Sequence, residues 1–271
     1  MYSNVDGDIV VFRGAFAAEK ALYSLVLHGK TIQFDNKKDA LAYIGDGKEY
    51  QLEKERVVEP LENALHNIKA TMNLIAERTK DPTPTVFLSG KENFRKHVYR
   101  LYKANRNKTM RPFWEKECVQ FLKDNYSTNQ TDCIEADDGL GIAMDSNSIC
   151  VSIDKDLDQL GGHHYNWVKD TSYFVDEFQA AYNLYFQMIK GDSTDNVPGI
   201  PGWGDKAAGQ ALSLATTPET LLWACQDSYK EHFGVTWEKE WDLNYKLLHI
   251  LRNEEDLKWA KLLVSRQVAN S

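Results

Sequence analysis

The chain lacks the marks of a secreted, membrane or disulfide-stapled protein. Its four cysteines, Cys118, Cys133, Cys150 and Cys225, are scattered and form no CxxC pair. They read as reduced, mostly buried thiols, which predicts a cytoplasmic setting. The sequons at Asn107, Asn125 and Asn129 then carry no meaning. No segment resembles a signal peptide, and the longest apolar runs, such as Ile9-Val10-Val11-Phe12, are far too short to span a bilayer. There is no GxxxxGK[ST] phosphate loop, no internal repeat and no low-complexity linker. What is present is 271 residues, 42% apolar with seven Trp, enough for one large domain or two small ones.

The net charge of −8 argues at first against a polyanionic partner, but its distribution argues the other way. Residues 91–116 carry nine Lys and Arg against only Glu92 and Glu115, a local +7. A basic run beside acidic clusters suits a polyanion held next to cations; a solvated helix face is the plainer reading of the run alone.

Seven carboxylates fall in three short clusters: Glu135, Asp137 and Asp138; Asp154 and Asp156; Asp192 and Asp195. Asp137 and Asp138 fit the first turn of a helix, where the helix dipole favours negative charge. Asp154 and Asp156 are two apart, so an extended segment points both the same way. Asp192 and Asp195 are three apart, so one helical turn places both on one face. Carboxylates this dense take up protons unless cations bind between them. Hard oxygen ligands select Mg²⁺ or Mn²⁺, which predicts a site for two or more such ions.

Periodicity predicts a strand over 5–12 bearing Asp6 and Asp8, an amphipathic helix over 15–28, a short strand over 31–34 and a helix over 58–79. A strand at 84–88 and helices at 113–123 and 137–144 follow. A strand at 148–153 precedes Asp154, Gly161-Gly162 makes a turn, and a long helix runs over 174–190. His163 and His164 read as a surface turn, and Asp158 as a solvated helix residue. Alternating strands and helices predict an α/β fold with a parallel sheet flanked by helices, whose ligands gather at the carboxyl ends of the strands. The last 70 residues read as wholly helical. The expected division is therefore an α/β domain over 1–190 and a helical region over 191–271.

The second strong signal is Gly199-Ile200-Pro201-Gly202-Trp203-Gly204-Asp205-Lys206-Ala207-Ala208. Its glycines allow tight turns and close approach of backbone N–H groups to a ligand. A helix begins just after it, and a helix N-terminus is an anion site. Gly199, Gly202, Gly204 and Lys206 are candidate phosphate contacts, with Trp203 a packing anchor; a plain helical hairpin turn is the alternative.

These residues, taken in order, resemble the 5′-nuclease (flap endonuclease-like) family, particularly the short phage 5′→3′ exonucleases without a polymerase domain. The markers are Val5-Asp6-Gly7-Asp8, Phe94-Arg95, Tyr102-Lys103-Ala104-Asn105-Arg106, Glu135-Ala136-Asp137-Asp138, Asp154-Lys155-Asp156, Gly191-Asp192-Ser193-Thr194-Asp195-Asn196 and the glycine loop. The resemblance runs from about residue 5 to 215, and the last 55 residues carry no marker. It implies a PIN-like nuclease domain with a helical arch at about 90–112 and a helix–three-turn–helix element at about 191–215. That element would hold duplex DNA, with K⁺ on its carbonyls. It implies metal ligation by Asp6, Glu135, Asp137, Asp138, Asp154 and Asp156, with Asp192 and Asp195 on the side nearer the duplex. Lys103 and Arg106 would contact the scissile phosphate, and Tyr102 would stack on a terminal base, with a buried aromatic of the arch helix as the alternative for Tyr102. Read on their own, Arg95 and Arg100 either grip phosphates or solvate their helix. One departure stands out: the family's further Asp after the strand preceding the arch is absent from Val86-Phe87-Leu88-Ser89-Gly90, where Ser89 or an ordered water is the expected substitute.

The expected chemistry is phosphodiester hydrolysis assisted by two Mg²⁺ about 4 Å apart, on DNA with a free 5′ end, flap or duplex junction. The protein would act as a monomer, away from membranes, in the host cytoplasm if phage-encoded. Two rivals stand beside it: a DNA-binding module that has lost catalysis, and an RNase H-like remover of RNA primers from RNA–DNA hybrids.

Overall fold

The computed structural model of the chain describes residues 1–27, 30–44, 50–108 and 111–268. In chain order, β1 (Tyr2–Asp6) leads straight into α1 (Gly7–Phe16). Strands β2 (Glu19–Leu27) and β3 (Lys30–Phe34), helix α2 (Lys37–Ile44), strand β4 (Gln51–Val58) and helix α3 (Leu61–Thr79) follow. Next come β5 (Thr85–Ser89), α4 (Phe94–Val98), a 3₁₀ turn at Ala104–Lys108, α5 (Glu115–Asn125), β6 (Ser127–Thr131), α6 (Ala136–Ala143) and β7 (Ser148–Val151). A 3₁₀ turn at Lys155–Gln159, strands β8 (Gly162–Asn166) and β9 (Thr171–Val175) and helix α7 (Glu177–Lys190) precede the last helices. These are α8 (Asp205–Leu212), α9 (Pro218–Phe233), α10 (Trp237–Leu248) and α11 (Glu254–Val268).

The chain divides into two compact units. One holds Met1–Ile9, Leu74–Met110 and Asn125–Ser271; the other holds Val10–Asn73 and Arg111–Asp124. The expected boundary near residue 190 is therefore corrected: the sheet and the C-terminal helices share one unit. The physical reason is visible in the cores. Met188 and Ile189 of α7 pack with Ile200, Leu212, Cys225 and Tyr229, and Ile250 packs under the sheet with Phe87, Leu140 and Leu157.

The larger unit carries a six-stranded sheet in the order β6-β5-β1-β7-β8-β9. All neighbours are parallel except β8 and β9. Strand β1 lies between β5 and β7, so the order turns back at its carboxyl end, the place where open α/β sheets bind ligands. Asp6 is the last residue of β1.

The smaller unit holds an antiparallel sheet, β3-β2-β4. Leu25, Ala40, Ile44, Ala64, Ile68 and Met72 are buried there. Gly14 of α1 backs onto Ile68, where a Cβ would come 2.5 Å from Cγ1.

Two expectations near the N-terminus are corrected. The strand over 5–12 stops at Asp6, because the Asp6 carboxylate accepts the Ile9 N–H at 3.2 Å and starts a helix. Gly7 lets that helix press on β5: a Cβ there would come 2.5 Å from Val86 Cγ1. The helix expected over 15–28 is strand β2, paired with both β3 and β4; His28 lies outside the described residues. The expected turn at His163-His164 is strand β8, and His164 is buried. All four cysteines are free, and three are buried. Among the described residues, no helix is long and apolar enough to cross a membrane.

Candidate active site

Every carboxylate singled out in the sequence lies in the larger unit, most of them around the carboxyl edge of the parallel sheet. Asp6, almost fully buried, accepts Ser152 Oγ at 2.8 Å. Burial, then the charge of Asp8, push its pKa up to about 7. Asp8 sits in the first turn of α1 and accepts the Ser89 N–H at 3.2 Å, bringing a carboxylate to the carboxyl end of β5. Ser89 itself is committed elsewhere: its Oγ accepts the N–H of Ala136 at 3.0 Å, the first residue of α6.

Helix α6 presents Glu135 and Asp137 to one side and Asp138 to another. Burial, then Asp6 and Glu135, raise the Asp137 pKa well above its ordinary value. Glu135 moves the opposite way. Burial alone would raise it, but Lys103 and Arg95 outweigh burial and hold it at about 2. Its carboxylate is ion-paired with Lys103 Nζ and accepts Tyr102 OH at 2.8 Å. Asp138 departs from the expected metal set. It is fully buried and bidentate with Arg95, at 2.6 and 2.7 Å. Both its oxygens therefore face inward.

Beyond β7 the chain turns in a 3₁₀ element, not the extended segment expected. Asp154 caps it, accepting the Asp156 N–H at 3.0 Å. Asp156 accepts Gln187 Nε2 of α7. Burial, then Asp154, Asp192 and Asp195, raise the Asp156 pKa to about 6. Asp192 and Asp195 are likewise not on a helix. Gly191, at φ 77°, ends α7, and a bridge between Asp192 and Val197 closes a turn. Within it Asp192 accepts the Thr194 N–H at 2.7 Å.

The basic segment meets this turn directly. Lys103 has φ 56°, and its N–H bonds the Asp195 carbonyl at 2.9 Å. Its Nζ lies 3.5 Å from Asp195 Oδ2, and Arg106 pairs with the same carboxylate. The expected helical arch is thus a short helix, a turn and a 3₁₀ turn; Thr109 and Met110 lie outside the described residues. Arg100 is exposed. Tyr102 and Arg95 are corrected: Tyr102 is only 4% exposed and its ring is part of the helical core, and Arg95 is 3% exposed. Neither is placed to meet DNA.

Arg106, Asp154, Asp156, Gln187, Lys190 and Asp192 are among the residues lining an open cleft of about 610 Å³. Among the described residues, no three His, Cys, Asp or Glu side chains close around one point as a ready ion cage. The donor chemistry nevertheless fits a hard divalent cation. The set is all carboxylate oxygen, and mutual repulsion helps raise Asp6, Asp137 and Asp156. Lys103 and Arg106 supply the positive charge that part of the set takes up here.

The glycine loop joins α7 to α8. Gly199 is corrected as a phosphate contact: it is buried, and its N–H bonds Asn244 Oδ1 at 2.8 Å. Gly202, Gly204 and Lys206 are exposed. Gly199 has φ 60°, and a Cβ there would come 2.3 Å from Gly191 N; Gly202 has φ 82° with open space around it. Gly199→Ala is therefore expected to lower stability by about 2–4 kcal/mol, and Gly202→Ala by only about 1 kcal/mol. Urea unfolding of the two variants checks the contrast.

Sequence reasoning missed Ser152, Gln187 and Asn244, which hold Asp6, Asp156 and Gly199. None has a sequence signal, because each finds its partner only through the fold.

Fold and carboxylate edge define the class: an open, mostly parallel α/β sheet with an acidic centre beside basic side chains. No protein-family model matches the chain. An exodeoxyribonuclease of Enterobacteria phage T3 is 33% identical over 119 residues, 40% of this chain and 39% of that protein. A DNA polymerase I of Rhizobium leguminosarum is 33% identical over 166 residues, 52% of this chain but 16% of that protein. The matches thus span well under two thirds of these relatives' own length. Among solved structures, a phage T5 5′-exonuclease with bound zinc ions superposes with a TM-score of 0.50 at 16% identity, over 92% of this chain and 99% of that one. A T5 flap endonuclease in a pseudo-enzyme–product complex with DNA and metal ions gives 0.51 at 16% identity, over 91% and 98%. Over part of its length the chain is thus similar in sequence to these nucleases and polymerases, and it has the fold of the T5 5′-exonuclease.

Proposed function

We propose that this chain is a divalent-metal-dependent 5′ nuclease that hydrolyses phosphodiester bonds of DNA. Its substrate is a free 5′ end, a flap or a duplex junction, in phage DNA replication or degradation. The observation that carries the reading is the carboxylate edge, Asp6, Glu135, Asp137, Asp154 and Asp156, with Lys103 and Arg106 beside it. The names of the relatives support the same chemistry.

These carboxylates, joined by Asp8, Asp192 and Asp195, would hold two or more Mg²⁺ or Mn²⁺ ions. Bound there, the ions would activate a water and stabilise the leaving 3′ oxygen. Ser152 and Gln187 orient the ligands Asp6 and Asp156 by each donating a hydrogen bond to the carboxylate. Lys103 and Arg106 offset charge on the phosphate oxygens. The exposed turn at Gly202 and Gly204, with Lys206 and the start of α8, grips the duplex backbone, and its carbonyls would take K⁺.

The test uses 5′-labelled duplex, flap and RNA–DNA hybrid side by side, with Mg²⁺ and with EDTA. Wild-type protein is expected to cleave only with Mg²⁺, and Asp154→Asn to lose at least about 10³-fold. Near-full Mg²⁺-dependent cleavage by Asp154→Asn would sink the assignment. Preference for the hybrid would make the chain a primer remover.

A further inference from the structure

Two arms make up the proposed centre: Glu135 and Asp137 at the start of α6, and Asp154 and Asp156 after β7. One short stretch, residues 247–252, running from the last turn of α10 into the link to α11, reaches both. On the first arm, Arg95 Nε donates to the Leu247 carbonyl at 2.9 Å and Nη2 to the His249 carbonyl at 2.8 Å. The same guanidinium grips Asp138. Asp138 in turn accepts the Leu251 N–H at 3.1 Å and the Glu135 N–H at 3.1 Å. One carboxylate thus ties the backbone of the C-terminal segment to the backbone of a proposed ligand. Helix α6 also presses on that segment: a Cβ on Gly141 would come 2.2 Å from the Leu251 carbonyl.

The second arm is reached by a relay. Arg252 Nη2 donates to the Gln159 carbonyl at 2.8 Å. Gln159 Nε2 donates to Gln187 Oε1 at 2.7 Å, and Gln187 Nε2 donates to Asp156. Between the two ties, Ile250 is buried with Leu140 of α6 and Leu157 of the 3₁₀ turn.

We propose that residues 247–252 form a positioning element that sets the spacing of the two carboxylate arms and so tunes their affinity for divalent ions. A buried ion pair is a weak source of net stability, since an apolar replacement is often as good. Bonded to three backbone groups on one side and one on the other, the Arg95–Asp138 pair instead fixes geometry. Arg95 and Asp138 are positioning residues here, as is Arg252. The inference rests on the metal reading of the site.

The test measures Mn²⁺ affinity of the full chain without DNA, by titration followed by electron paramagnetic resonance. Arg252→Met keeps the stem of an exposed side chain and removes only the bond to Gln159. It is expected to weaken Mn²⁺ binding about tenfold with little change in Tm, and Arg95→Lys to weaken it by about tenfold or more. Ile68→Val, a destabilising change in the other unit, is expected to leave Mn²⁺ affinity unaltered. Should Arg95→Lys fail to fold, Arg252→Met decides alone. Wild-type affinity in folded Arg252→Met overturns the inference. Absence of Mn²⁺ binding by the wild type overturns the metal reading and this inference with it.

Discussion

Lys103→Ala is expected to slow DNA cleavage about 10²–10³-fold at saturating substrate, the cost of removing one preorganised charge from a phosphoryl-type transition state. The side chain is held rather than free. Its backbone sits at φ 56° and bonds Asp195, while Asn105 Nδ2 donates to the Ser193 and Thr194 carbonyls at 3.0 Å. Alanine keeps the Cβ and hence the same backbone strain, so the substitution removes the charge and leaves the turn in place. Arg106, with 48% of its side chain exposed, pairs in solvent and is expected to matter less, about tenfold on truncation. A second signature follows from Glu135. With Lys103 gone, its carboxyl loses the first group that opposes burial, so its pKa rises from about 2. The acid limb of the rate–pH profile moves upward with it. Single-turnover kinetics across pH checks both, and a kcat for Lys103→Ala within about threefold of wild type would remove Lys103 from the catalytic set.

The fold was legible wherever local pattern and tertiary packing agree. Leu61, Leu65, Ile68, Met72 and Ile75 recur at helical spacing, and α3 is a helix. The apolar run before Asp154 is strand β7. Pattern failed where long-range pairing decides. Residues 19–27 carry Ala and Leu in helix-like proportion, yet pairing with β3 and β4 makes them a strand. The run 9–12 is β-branched and apolar, yet the Asp6 cap and the close approach at Gly7 make it a helix.

The site was legible as a set of residue types and less so as a geometry. Clustered carboxylates can be counted in a sequence, and their order carries the family resemblance. Which way each one faces cannot be counted. Asp137 and Asp138 are adjacent, and one meets Asp6 while the other meets Arg95. Tyr102 and Arg95 sit in a basic run that suggests a surface, but their partners Glu135 and Asp138 draw them inside. Those choices are made by tertiary contacts from residues 33 to 43 positions away.

The second large effect is a crossing of thermal stabilities with metal. In EDTA the wild type is expected to melt lower as pH rises from about 6.5 to 8.5. Asp6 keeps its proton in the fold up to about pH 7, whereas the ordinary value is 3.8. The folded state therefore binds more protons in that interval, and stability falls as pH rises through it. A rise of this size corresponds to about 4 kcal/mol spread over the whole span from 3.8 to 7, of which only about 1 kcal/mol falls above pH 6.5. Asp156, raised to about 6, and Asp137 act with the same sign. Glu135, held at about 2, acts oppositely but only in acid, where stability is lost as pH falls. His249, pulled down by burial to about 4, favours the fold as pH rises to 6.5 and adds nothing beyond. Above that point the crowded carboxylates govern the slope. Asp137→Asn replaces a buried carboxyl that resists ionisation with a neutral group of the same size, so in EDTA at pH 8 it is expected to melt above wild type by roughly 5 °C. Saturating Mn²⁺ reverses the order, because the wild type gains binding energy, about 2.7 kcal/mol at 100 times Kd, that the variant forfeits in large part. Scanning calorimetry of both proteins with EDTA and with Mn²⁺ decides it: a wild type that melts higher in both conditions would mean that these carboxylates are not held in mutual repulsion awaiting a cation.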